Sequence, residues 1–321
     1  MWTGQFIRRF MLIWIPLVLL LGTLLWVLHH VEVNALLTIN KAEEHHVLQL
    51  ASQTITTELA MLRGDALYLS ELSTLSQWLE TANPMNRERL SNDFLSFAEH
   101  HGYYDQVRLL DAQGKEIVRI DWKRGQPIIT PLSKLQDKSN RYYVSSTLAL
   151  DQKSVFISPF DLNFEQGVIE QPLKPVIRIA TPVYDSQGRK RGLIVLNYLG
   201  QRLLNHLREI PNQQGHELWL LNAEGYWLLG PRPEMEWGFM FPDRQAISFK
   251  QEHSELWSSL MEGPVYSQFM HKEDLYTYAV GVPENVLGDA QSERWILVAF
   301  VPSKVLAAKL AGRTNTFITL L

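Results

Sequence analysis

Nineteen consecutive residues without a charge, Phe10 to Leu28, constrain this chain more than any other feature. As a helix the block is about 28 Å long, close to the hydrocarbon thickness of a bilayer. Pro16 and Gly22 within it are tolerated in membrane helices. Arg8 and Arg9 precede the block; His29, His30, Glu32, Glu43 and Glu44 follow it. The positive-inside rule therefore puts the short tail in the cytoplasm and the bulk of the chain outside. The alternative is a cleaved signal peptide, but its apolar core usually runs only about 7–15 residues and no A-x-A-like site follows here.

The remainder is ordinary globular material. The 321 residues are 46% hydrophobic and 11% aromatic with ten Trp, which excludes disorder. Length predicts about two domains. A net charge of −4 argues against a nucleic-acid partner. The chain has no cysteine, which removes disulfides, thiol catalysis, thiolate zinc sites and c-type haem together. A mean hydropathy of −0.11 averages one apolar segment with a polar exported region. The stretch after Pro302, SKVLAAKLAGRTNTFITLL, reads as a helix that opens a second membrane span, truncated at 321.

Helical spacing dominates from Lys41 to about Leu79: Val47, Ala51, Ile55, Leu59, Leu62, Ala66 and Leu69 recur every three or four residues. Gly64 marks a bend or a close contact in that helix. Asn83 caps a second helix with Pro84 at its first position, and this helix ends near Gly102. Three strand pairs then share one device, an apolar run followed by Asp or Asn, two residues and Gly: Asp111 with Gly114, Asp185 with Gly188, Asn222 with Gly225. Glycine supplies the positive φ that short hairpins need, and Asp or Asn closes the turn. The strands fall into two modules of five. The first has a hairpin over 107–120 and strands near 154–160, 175–184 and 191–198. The second has a hairpin over 217–229 and strands near 265–271, 275–282 and 294–301. Hairpin connections make both sheets antiparallel. A short helix, Gln201–Glu209, joins the modules.

The long first helix, the two modules and the flanking apolar segments resemble the double Cache (dCache, PAS-like) periplasmic sensor domains of bacterial membrane receptors. The words LRGDALYLSE (62–71), YYDQVRLLD (103–111), NRYYVSS (140–146), ISPFDLNFEQGVIEQPLKPVIRIATPV (157–183), LNYLG (196–200) and LNAEGYWLLGP with EWGFM (236–240) carry the likeness, to histidine kinases and diguanylate cyclases in particular. It covers about residues 30–305. The resemblance implies an α+β fold: a long N-terminal helix plus two PAS-like modules with antiparallel five-stranded sheets, flanked by transmembrane helices. The implied division is a cytoplasmic tail (1–9), a membrane helix (10–28), a long signalling helix (29–82), a membrane-distal ligand-binding module (83–200), a membrane-proximal module (201–303) and the start of a second span (304–321). It also implies an inner-membrane receptor input region with its bulk in the periplasm. Such a region binds a small molecule, transmits a helix displacement and dimerises through the long helix. It is not an enzyme; no phosphoacceptor helix or GGDEF word is present, and kinase, cyclase and chemoreceptor outputs all stay open.

In such modules the ligand lies between the sheet and the segment crossing it, here about Trp122–Pro175. That segment holds Arg141, Tyr142, Tyr143, Ser158, Asp161, Asn163, Glu165 and Glu170. Strand alternation sets Arg178 on the face of Val176 and Ala180. An Arg fork holds a carboxylate with two hydrogen bonds, Tyr hydroxyls add directional donors, and Asp161 suits a ligand ammonium. The candidate ligand-binding residues are therefore Arg141, Tyr142, Tyr143, Ser158, Asp161, Asn163 and Arg178, for an amino acid or small carboxylate. The structural alternative is an ion pair of Arg178 or Arg141 with Asp161 that pins the 157–170 loop. Amino-acid-binding relatives carry an Arg, one spacer and two aromatics; Arg141-Tyr142-Tyr143 lacks the spacer.

No metal or cofactor is expected. The pairs His29-His30, His45-His46 and His100-His101 are adjacent and point about 100° apart on a helix, unsuited to chelation. His45-His46 with Glu43-Glu44 reads as a solvated helix face. Trp219, Trp227, Trp237, Trp257 and Trp295 read as core, with a carbohydrate or aromatic platform as the sharper alternative. The lipid bilayer, a small ligand and a second copy of the chain are the expected partners. The rival functions are an anchored partner-binding protein without a small ligand and an anchored enzyme; the latter lacks any elbow, P-loop or metal motif.

Overall fold

The computed structural model describes residues 3–165, 167–211, 215–282 and 294–320. One helix, α1 (Thr3–Ser70), runs straight through the apolar block. At 1.5 Å per residue it is about 100 Å long. Residues Phe10 to Leu28 of α1 are exposed throughout, and α1 is the one helix among the described residues long and apolar enough to cross a membrane. Below that block the helix dives into the core: Leu48, Ala51, Ile55, Leu59, Leu62, Ala66 and Leu69 are buried.

The expected helix to Leu79 is in fact two. The chain breaks after Ser70, and α2 (Ser73–Glu80) starts afresh. Gly64 neither bends α1 nor touches anything, since a Cβ built on it meets open space. In α3 (Pro84–His101) the Asn83 side chain accepts the Asn86 N–H at 2.9 Å, and Gly102 closes the helix in the left-handed region.

The first sheet has seven strands, not five. They are β1 (Tyr104–Asp111), β2 (Glu116–Lys123), β3 (Gln126–Ile129), β4 (Phe156–Ile157), β5 (Asp161–Leu162), β8 (Pro175–Tyr184) and β9 (Lys190–Leu199), in the order β3-β2-β1-β9-β8-β4 with β5 also on β8. The separate pair β6 (Phe164–Glu165) and β7 (Val168–Ile169) stands on the connecting loop. The short α4 (Tyr142–Leu148) crosses one face of this sheet, and α1 and α3 cover the other. After α5 (Gln201–Glu209) comes the second sheet, which keeps the expected five strands: β10 (Glu217–Leu221), β11 (Trp227–Leu229), β12 (Tyr266–His271), β13 (Asp274–Val282) and β14 (Trp295–Val301), ordered β11-β10-β14-β13-β12. The helices α6 (Phe249–Glu252) and α7 (Ser254–Glu262) lie on it. All strand pairs are antiparallel, and both sheets have the same central logic: the first hairpin flanks the last strand. The chain leaves through α8 (Ser303–Leu320). The expected second span over 304–321 falls largely outside the described side chains.

The three hairpin turns are built alike. Asp111 Oδ1 accepts the N–H of Gln113 and Lys115, Asp185 Oδ1 that of Gln187 and Arg189, and Asn222 Oδ1 that of Glu224 and Tyr226. The modules meet at Phe160, fully buried, whose ring lies 5.2 Å from Trp237 and 5.8 Å from Trp295. The tryptophans serve the core: Trp219, Trp227, Trp237 and Trp295 are buried, and Trp257 packs against the cluster that holds Trp219 and Trp227.

Candidate functional site

Register decides what the outer face of the first sheet presents. Gln106 on β1 pairs with Asn197 on β9, and Asn197 with Arg178 on β8, so the three form one row. The next row is Arg108, Val195 and Ala180. Helix α4 docks on the apolar end, where Tyr143 and Val144 pack on Leu110, Ala180, Leu193 and Val195. The polar rows beside it are left as a cavity of about 130 Å³.

Six of the seven expected residues line that cavity: Arg141, Tyr142, Tyr143, Asp161, Asn163 and Arg178. Ser158 does not. Its hydroxyl accepts the Arg178 N–H at 2.9 Å and donates to the Pro159 carbonyl, which fixes the strand behind the site. The alternative ion pair is also present: Arg178 Nη1 reaches both Asp161 oxygens at 2.8 and 3.1 Å. Burial pushes the Asp161 carboxyl up, and Arg178 opposes this only in part. Asn163 donates to Glu170 at 2.8 Å, and Lys174 bridges Glu170 and Asp105, so the 163–174 loop is pinned by charge. The Arg141 guanidinium stands at the mouth with no hydrogen bond or ion pair among the described residues.

Sequence reasoning missed the central residue, Arg108. It is 2% exposed, donates to Asn197 Oδ1 at 2.6 Å and to the Tyr143 hydroxyl at 3.2 Å, and its Nε–H finds no acceptor. The nearest carboxylate, Glu116, is 3.6 Å away and equally shared with Arg119. The Tyr143 ring lies between two guanidinium groups, Arg108 at 5.7 Å and Arg178 at 5.9 Å. Burial pushes the Tyr143 hydroxyl up, but Arg108, Lys138 and Arg178 outweigh it and hold it below the ordinary tyrosine value. Tyr142 goes the other way: burial and Asp161 push it up against Arg178. A signal for Arg108 existed, since it and Arg119 are the charged residues in the middle of two apolar hairpin strands and pair directly across the turn.

A larger cavity, about 580 Å³, adjoins the first at Gln106. Most of its charges are matched among themselves: Arg119 with Asp121 at 2.7 Å, Lys123 with Asp121 at 3.3 Å, and Lys174 with Asp105 at 2.9 Å and Glu170 at 2.6 Å. Size therefore points one way and chemistry the other; the smaller cavity has the unspent donors.

The inner face of the same strands grips α1. Tyr104 donates to Asp65 at 2.6 Å and Tyr198 to Glu58 at 2.6 Å. Burial and the partner carboxylates push both phenols far above the ordinary tyrosine value. Asn197 of the cavity and Tyr198 of the α1 contact are consecutive in β9.

A family model described as the bacterial histidine kinase sensor domain matches residues 53–280. The chain belongs to that family. This is a family of non-catalytic input domains, and the sensor chain has Cache-type structural neighbours. A domain of a sensory box/GGDEF family protein from Vibrio parahaemolyticus superposes with a TM-score of 0.71 at 20% identity, covering 86% of this chain and 99% of that one. The extracellular domain named for histidine kinase vpHK1S-Z8 gives 0.70 at 20% identity over 87% and 95%. The ligand-binding domain of the Campylobacter jejuni chemoreceptor Tlp3, solved with L-valine, gives 0.59 at 12% identity over 86% and 97%. At such identities the likeness is one of fold. No curated protein matches the chain by sequence.

Proposed function

We propose that this sensor chain is the extracytoplasmic input region of a bacterial inner-membrane receptor. Phe10–Leu28 spans the bilayer with Arg8 and Arg9 on the cytoplasmic side. Residues 83–200 form the membrane-distal module, residues 201–303 the proximal one, and a small molecule of the amino-acid or small-carboxylate class binds distally. The observation that carries this reading is the cavity between α4 and the sheet, with a buried, incompletely paired guanidinium at Arg108. The ligands named for structural neighbours, L-valine for Tlp3 and L-serine for the Pseudomonas fluorescens chemoreceptor CtaA, support the class.

Arg141, Tyr142, Tyr143, Asp161, Asn163 and Arg178 take part in binding, joined by Arg108 and Asn197. A bound ligand shifts the receptor by its differential affinity for two packings of α1 against the sheet. Two copies meet along α1, and α8 carries the displacement back toward the bilayer.

Thermal denaturation of the full chain in lipid nanodiscs, across amino acids, organic acids and amines, tests the reading. A ligand at 100 times its Kd adds about 2.7 kcal/mol, which at about 2–4 °C per kcal/mol raises the Tm by about 5–11 °C. Silence across the whole panel would count against a small-molecule sensor. Single cysteines placed along 41–62 crosslink between copies if the dimer forms there; their failure to crosslink in membranes would remove the dimer.

A further inference from the structure

Among the described residues the distal cavity has four cationic side chains and one carboxylate, Asp161. Both oxygens of that carboxylate are already engaged by Arg178. The wall that would receive an ammonium is therefore spoken for, and a ligand amine would have to displace a partly buried guanidinium. The opposite holds for negative charge. Arg108 has an Nε–H without an acceptor, and its nearest carboxylate is too long at 3.6 Å for a charge-assisted hydrogen bond. The Tyr143 hydroxyl accepts from Arg108, and its own proton has no acceptor among the described residues. Arg141 waits at the mouth. Two side chains with an unspent donor, on β1 and α4, and an exposed cation in the turn before α4 line this one cavity.

Volume limits the occupant. A dry cavity of about 150 Å³ accommodates benzene, six heavy atoms. The distal cavity, at about 130 Å³, holds no more. Tyr142 and Phe164 give it aromatic walls.

Building on the sensor reading, we infer that the ligand is a compact monocarboxylate of up to about six heavy atoms that needs no amino group, with Arg108 as its principal anion receptor and Tyr143 as its second donor. A monoanion neutralises the buried guanidinium that the fold leaves under-paired, Arg108. Arg178 and Asp161 act as a closed wall that shapes the cavity.

Three probes on one three-carbon skeleton separate the possibilities: propionate, alanine (propionate with an ammonium) and n-propylamine. Each is titrated calorimetrically into the full chain in nanodiscs. Propionate is expected to bind, alanine about ten-fold more weakly for want of an ammonium partner, and propylamine not at all. Arg108→Gln is expected to weaken propionate by about ten-fold or more. Tyr143→Phe, an isosteric change that keeps the ring packing, is expected to weaken it several-fold. The melting temperature of each unliganded variant shows that it folds. Alanine binding more tightly than propionate, or propylamine binding alone, would overturn the inference and leave the sensor reading standing. Propionate binding unchanged by both variants would move the site elsewhere and overturn it too. No heat from these probes, but a hit in the wider panel, defeats only the inference; silence in both defeats the sensor reading as well.

Discussion

Arg178 and Asp161 show how one pair constrains a site. Removing one partner of a buried pair leaves the other charge uncompensated, whereas replacing both with apolar groups is often near neutral. Asp161→Ala is therefore expected to cost about 3 kcal/mol in urea denaturation, and the double change Asp161→Leu with Arg178→Met markedly less. Asp121 makes a pH prediction. Burial pushes its carboxyl up, but the Thr130 hydroxyl, Arg119 and Lys123 outweigh that and hold it below 3.8. A depressed carboxyl contributes stability that is complete above its unfolded value and lost as pH falls through the folded one. Urea midpoints taken from pH 5 down to pH 2 should fall across that window, and Asp121→Asn should flatten the fall. Alternation alone set Arg178 on the face of Val176 and Ala180, because a strand's period is two whatever its partners; that this face carries the cavity was not legible. Arg108 stayed hidden: its neighbours Val107 and Leu109 belong to the apolar run before Asp111, and only the cross-hairpin pairing with Arg119 brings out the charged row.

Elements differ in how locally they are determined. The hairpin device was legible because Asp or Asn binds N–H groups two and four residues ahead. Gly114 is the strict case: its φ is +83°, and an added Cβ would come within 2.7 Å of the Ser139 Cα. Gly114→Ala should destabilise the first module by more than about 1 kcal/mol, read by chemical denaturation. The break in the first helix was not legible, since Leu72, Leu75 and Leu79 continue the apolar spacing past Ser70. Strand β3 was missed because it is only four residues long and mostly exposed. The Glu43-Glu44 stretch was misread for a different reason. Glu44 is fully buried, not solvated, and its Oε1 pairs with Nδ1 of His216, the residue just before β10. His216 Nε2 lies 2.9 Å from Lys309 Nζ, which also donates to Asn40 at 2.7 Å. That partnership spans 172 residues, beyond any local pattern. It ties α1, β10 and α8 together, so Lys309→Met should loosen α8 by about 2 kcal/mol, seen as faster amide exchange over 303–311.

At the scale of the molecule, two sheets with one topology were readable from the repeated turn device, and the family match confirms the sensor assignment. How the modules join was not, because the joint is a contact between side chains far apart in sequence. Phe160 precedes Asp161 of the cavity wall and is wedged between Trp237 and Trp295. Phe160→Ala opens a hole there and should cost about 3–5 kcal/mol. Scanning calorimetry on the full chain should then resolve two transitions where the parent shows one; a single, merely lower transition would mean the modules are coupled elsewhere.

The joint also sets a rule for anyone wishing to transplant the first module into another protein. Gly200, between β9 and α5, is where a splice would naturally be made. Yet a Cβ at that position would lie 2.3 Å from the Phe160 ring. A graft cut there splits an aromatic ball from its socket, and the host's residue at the junction must itself be glycine. Moving 157–163, Gly200, Trp237 and Trp295 as one block keeps the hinge of the chimera in a single piece.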